Sequence, residues 1–142
     1  VGKRRKGREV LLQSLYAARL SGRSLLRCLE EQLGPFDSAD ASAAFARALA
    51  LKIDAYGQTA EREIGALLEN WAPERVGVLE RLILILAVTE LRHSPEVPWK
   101  VVINEACELA RRYCDENAVA FVNGILDRVA GDLRREGREE LS

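Results

Sequence analysis

Apolar residues recur along this chain at intervals of three and four, the period at which one face of an α-helix returns to the same side. From Arg4 to Leu20 the positions Leu11, Leu12, Leu15 and Ala18 keep that spacing, and Ser21 and Gly22 close the run, which predicts a first amphipathic helix. Leu25, Leu26, Cys28 and Leu29 predict a second between Ser24 and Gln32, ended by the breaker "GPFDSAD", which reads as an exposed loop. Asp40 or Ser42 then caps a long alanine-rich third helix, with Gly57 as a point of bend or break.

A cap-like Asn70 and Pro73 mark the start of the next helix, whose stretch Leu82 to Val88 is apolar on nearly every face. Alone, "LILILAV" reads as a buried strand, but the flanking "ERVGVLE" and "TELRH" continue a helical period, so a central helix enclosed by neighbours is expected. "SPEVP" interrupts with two prolines, and Val102, Ala106, Leu109 and Ala110 start another helix. After the polar "DEN", Val122, Ile125, Leu126, Val129 and Leu133 give a last amphipathic stripe, followed by a tail, 134–142, expected to fray. With no repeat and no alternating strand pattern, the expectation is a single all-α domain over residues 1–142, a compact helical bundle.

Charge adds a polarity to that picture. Lys3, Arg4, Arg5, Lys6 and Arg8 contribute +5 to a net charge of −1, which leaves −6 on the remainder. A basic arm over residues 1–8 on a mildly acidic body presents one focused patch to phosphates, or is simply a solvated tail; charge alone does not choose between them. The basic cluster also sits where a helix dipole favours anions, an awkwardness that an external anion would remove.

Chemistry is sparse. The three cysteines form no CxxC, lack zinc-type histidine partners and read as small buried apolar residues in a reducing cytoplasm. On one helix, Cys107 and Cys114 would stand about 10 Å apart along the axis, beyond disulfide reach. His93 is the only histidine and falls at a helix end, where its cation suits the dipole better than it suits catalysis. No glycine-rich phosphate loop occurs, and neighbouring carboxylates such as Glu30 and Glu31 read as solvated helix faces. Neither a cofactor nor a catalysed reaction is expected, and no apolar run is long enough to span a bilayer. What remains is arginine beside aromatic residues. Arginine pairs bidentately with phosphate and Tyr16 or Phe121 could stack on an unpaired base, although helical aromatics are more often core residues.

The segment "VPWKVVINEACELARRYCDENAVAFVNGILDRV", Val97 to Val129, resembles the carboxyl-terminal signature of the NusB family of transcription antitermination factors. Pro98, Lys100, Asn104, Glu105, Ala106, Glu108, Leu109, Ala110, Phe121, Val122, Asn123, Gly124, Leu126 and Asp127 match its pattern. "RRKGREVLLQSLYAARLSG" is similar to the family's arginine-rich opening helix, and "LERLILILAVTEL" to its central one. From about Leu25 to Asn70 the likeness is of pattern alone.

This resemblance implies two helical subdomains and a non-enzymatic, cytoplasmic RNA-binding protein. Its ligand would be the single-stranded boxA element of nascent ribosomal RNA, bound with the ribosomal protein NusE in an RNA polymerase antitermination complex. Some members self-associate, which adds a homodimer to the expected partners. By matching position, the RNA surface would take Lys3, Arg4, Arg5, Lys6 and Arg8, with Gln13 and Tyr16 on the same helix and Asn117 and Phe121 from the last one. The NusE surface would take Glu80, Arg81, Leu84 and Glu90. Three departures stand out: Asn117 and Ala120 replace an acid and a lysine frequent in the family, and Thr89 replaces an aromatic. A NusB-like domain at the amino end of certain RNA cytosine methyltransferases is the alternative reading.

Overall fold

The computed structural model describes residues 2–37, 39–71 and 76–138. Six α-helices and a closing π-type turn account for nearly all of them, and no strand occurs among the described residues, so the chain is all-α. It divides into two compact units, Val1–Ala55 and Tyr56–Ser142.

In the first unit, helix α1 (Gly2–Ser21) starts ahead of the expected Arg4, so the basic arm is itself helical. Val10, Leu11, Leu12 and Leu15 are buried, and the hydroxyl of buried Ser14 donates to the Val10 carbonyl at 2.8 Å. Gly22, at φ +75°, ends the helix by donating its N–H to Ala18 O at 2.9 Å, a left-handed position that glycine takes without strain. Helix α2 (Leu25–Leu33) is capped by Ser24, whose side chain accepts from the Arg27 N–H.

Helix α3 (Ala41–Trp71) opens on Asp40, whose Oδ1 accepts from Ser42 N–H at 2.7 Å and Ala43 N–H at 3.4 Å. Those two bonds hold the Asp40 carboxyl below the usual range, with Lys3 adding to the effect. Ala43, Ala46 and Ala50 are buried, and α1 comes close to the start of α3. The approach is tightest at Gly7, where a Cβ would lie 2.8 Å from Ser42 O and 2.9 Å from Phe45 Cδ2. An exposed fork from Arg47 to Glu30, at 2.9 and 3.0 Å, links α3 to α2.

α3 continues without a break through Gly57, and also past Asn70, which therefore lies inside a helix instead of capping the next one. The helix ends at Trp71, and α4 takes its cap from a later residue. Pro73 lies outside the described residues, as do the last four residues of the tail.

In the second unit, helix α4 (Val78–His93) begins at Gly77, whose N–H is accepted by the Glu80 carboxylate at 3.2 Å. Every residue from Leu82 to Leu91 is buried, Thr89 and Glu90 included, so the helix is enclosed on all faces. Helices α5 (Trp99–Tyr113) and α6 (Glu116–Leu133) pack on each other and on α4. Asp115 caps α6 by accepting from Ala118 N–H at 2.8 Å. Trp99 opens α5 with the Arg134 guanidinium 4.7 Å and the Lys100 ammonium 5.5 Å from its ring centre, and its buried indole N–H has no partner among the described residues. Within the tail expected to fray, Arg134–Arg138 forms the π-type turn, with Gly137 at φ +89°.

One fork organises the second unit's polar surface: Arg92 grips Glu63 with two bonds of 2.8 and 2.6 Å, both side chains about three-quarters buried. Replacing Arg92 by alanine strands a largely buried carboxylate and is expected to cost about 1–3 kcal/mol in urea denaturation. Gly7→Ala should also destabilise, by about 1–3 kcal/mol, because the clash with a backbone oxygen outweighs the better helix propensity of alanine.

Candidate nucleic-acid interface

The first turn of α1 contains no acidic residue, and Lys3, Arg4, Arg5 and Lys6 are all exposed. Arg8 is different. It is only 2% exposed, its guanidinium carbon 4.8 Å from the centre of the Phe45 ring. Arg4, one turn earlier, lies over the same ring at 5.7 Å, and Lys6 lies 5.7 Å from the centre of Phe36. Phe36 and Phe45 are half-buried, so each combines an anchored edge with a face turned to a cation.

The burial of Arg8 removes it from direct contact with a phosphate in this conformation. Its position explains why: it precedes Leu11, Leu12 and Leu15 by three, four and seven residues, the spacing of the core face. Periodicity thus marks Arg8 as inward-facing, whereas charge alone makes it look like an arm residue. Gln13 and Tyr16 are exposed on the solvent side of α1, Tyr16 at 39%. Half-buried Glu9 lies between them and the basic cluster along the helix. Phe36 and Phe45 were not singled out from sequence; the signal was a pair of aromatics within ten residues in a polar loop and an alanine-rich helix start.

In the second unit, exposed Asn117 and half-buried Phe121 are one turn apart on α6, just inside the Asp115 cap. An open groove runs between α5 and α6, lined by the exposed polar side chains Lys100, Asn104, Asn123 and Asp127 around Cys107. The Cys107 thiol points its sulfur at Asn123 Oδ1, 3.8 Å away, and burial pushes its pKa up, which keeps it protonated as a donor. The signature residues thus separate by chemistry: Leu109, Ala110, Val122 and Leu126 build the core, and the polar four face solvent.

The residues expected to meet a protein partner separate in the same way. Glu80 and Arg81 are half-buried and reach the surface, but Leu84 and Glu90 are completely buried. Thr89 is buried as well, with a hydroxyl lacking a partner among the described residues, so its departure from the family pattern changes the core and not an exposed face. His93 ends α4 with its ring stacked on Tyr56, centroids 3.8 Å apart and planes at 11°. Among the described residues no group of three metal-ligating side chains occurs, and no helix is long and apolar enough to cross a membrane. Leu84→Ala is expected to lose about 2–5 kcal/mol of stability in chemical denaturation. Glu80→Lys, at the surface, should change stability by less than about 1 kcal/mol in the same measurement.

The NusB family model matches residues 5–131. The chain is 36% identical over 139 residues to the transcription antitermination protein NusB of Heliobacterium modesticaldum, spanning 98% of this chain and 68% of that protein. It is 34% identical to the transcription antitermination protein NusB of Myxococcus xanthus, over 95% of this chain and 99% of that one. The solved structure of T. maritima NusB superposes with a TM-score of 0.80 at 34% identity, covering 90% of each chain. A likeness of this extent, in sequence and in all-helical fold alike, places the chain in the NusB family.

Proposed function

We propose that this chain is a transcription antitermination factor that binds a single-stranded, boxA-type RNA of nascent ribosomal transcripts together with NusE. The observation that carries the reading is the helical start of α1, which holds Lys3, Arg4, Arg5 and Lys6 in solvent with no acid in the first turn. Four cations on about one turn of helix form a compact site for consecutive phosphates, and the amino end of the helix dipole adds to its attraction for anions. Because the site is folded before RNA arrives, binding does not have to order it.

The roles then divide. Arg4, Arg5 and Lys6 take phosphates, with Lys3 at the edge. Gln13 and Tyr16 extend the surface along α1, Tyr16 offering a ring on which an unpaired base stacks. Asn117 and Phe121 form the contribution of α6, with Asn117 free of the charge repulsion a carboxylate would impose. Arg8 acts from inside the unit, as a support for the cluster. For NusE, Glu80 and Arg81 remain as surface residues, while Leu84 and Glu90 belong to the core of α4.

An RNA titration tests the proposal, using a boxA-like oligonucleotide and a scrambled one, with and without NusE, at two salt concentrations. The affinity for the boxA-like strand should fall with salt with a log-log slope of about −0.7 for each phosphate contacted. Replacing Arg4, Arg5 and Lys6 together by alanine should cost on the order of 100-fold in affinity at about 0.1 M salt. Circular dichroism should show unchanged helical content in that variant. Unaltered affinity would refute the site. Arg8 is left in place because removing a buried, ring-packed guanidinium would disturb the fold as well as the charge.

A further inference from the structure

Four exposed cations at the amino end of a helix repel each other and oppose the helix dipole, so something in the fold must offset them. Elsewhere on this protein carboxylates do that work: Arg23 pairs with Glu31 at 2.6 Å, Arg47 with Glu30, Arg92 with Glu63, Arg111 with Glu108 at 2.6 Å, and Arg135 with Asp132. At the start of α1 the described contacts of Arg4 and Lys6 are aromatic rings, Phe45 for the first and Phe36 for the second. The carboxylate of Asp40, which feels the charge of Lys3, is occupied with the backbone N–H groups of Ser42 and Ala43 as the cap of α3.

The geometry points to Phe45 and Phe36 as positioning residues for RNA binding, holding Arg4 and Lys6 through ring faces in place of carboxylates so that their full charge stays available to phosphate. This inference rests on the RNA-binding reading above and names what prepares that site. A ring face attracts a cation through its quadrupole without carrying a formal charge, so it fixes the side chain and leaves nothing to be displaced. A carboxylate in the same place would hold the cation more strongly but would compete with every incoming phosphate oxygen. Arg8 supplies the second half of the device. Buried one turn below Arg4 on the same ring, it locks the ring against α1 while Gly7 lets the two helices close to contact distance.

Three variants test it in the same RNA titration. Phe45→Leu keeps an apolar side chain and removes the quadrupole; it should weaken binding by about tenfold and reduce the salt slope by about the 0.7 due to one phosphate contact. Phe45→Tyr keeps the ring face and should bind within about twofold of the parent protein. Phe36→Glu places a carboxylate beside Lys6 and should weaken binding by about fivefold or more while leaving the helical content unchanged. The inference is overturned if Phe36→Glu binds like the parent, a result readable even if Phe45→Leu fails to fold. It is equally overturned if Phe45→Tyr loses as much as Phe45→Leu, or if neither Phe45 variant changes affinity or slope. The triple alanine variant separates the two levels: if it loses binding while the ring variants do not, only the positioning role falls. If it too binds like the parent, the RNA site itself falls.

Discussion

The first unit depends on a guanidinium packed against a benzene ring. Arg8 is buried where the period of α1 calls for an apolar residue, and the face of the Phe45 ring is one of the contacts its cation makes there. A buried charge without compensation is costly, so this contact constrains what surrounds it. The ring must stand against α1, α3 must bring it there, and Gly7 must lack a side chain for the helices to meet. Asp40, by capping α3 immediately beforehand, sets where that helix begins and hence where Phe45 falls. The exposed cations are thus displayed by a piece of core.

The second unit is organised around α4, buried on every side from Leu82 to Leu91. A helix without a solvent face has no amphipathic stripe, and its neighbours α5 and α6 carry the division between core and surface instead. That is why the polar residues of the family signature sit on α5 and α6, around one groove, while α4 reaches the surface only at its two ends, through Val78 to Arg81 and through Arg92 and His93. Asp115 fixes the start of α6 and with it the placement of Asn117 and Phe121 a turn apart.

Much of this was legible in the sequence, and the failures share a cause. Spacings of three and four located all six helices, because burial of one face is what holds a helix in a protein. The signature from Val97 to Val129 carried the family. The burial of Arg8 was missed because its charge was weighed above its register with Leu11, Leu12 and Leu15. Leu84 and Glu90 were misjudged as surface residues because a helix that is apolar all round offers no clue to which face is open, and in this one none is. The end of α3 near Asn70 was legible, but the start of α4 was not: it falls at Val78 behind the Gly77 cap, a weaker signal than Asn70 or Pro73. Phe36 and Phe45 carried only a faint signal for a deeper reason: a cation and a ring far apart in sequence meet only when the chain between them, a loop for Phe36 and the start of α3 for Phe45, has been folded against α1.

The stacking of Arg134 and Lys100 about Trp99 has an optical consequence. Indole emission responds to nearby charge and to water, and this indole has cations at its ring and its N–H sealed from solvent. When the π-type turn that carries Arg134 lifts away, the ring loses one cation and gains water. In a protein whose other tryptophan, Trp71, has been replaced by phenylalanine, the emission of Trp99 therefore gauges whether the last turn of the second unit is seated.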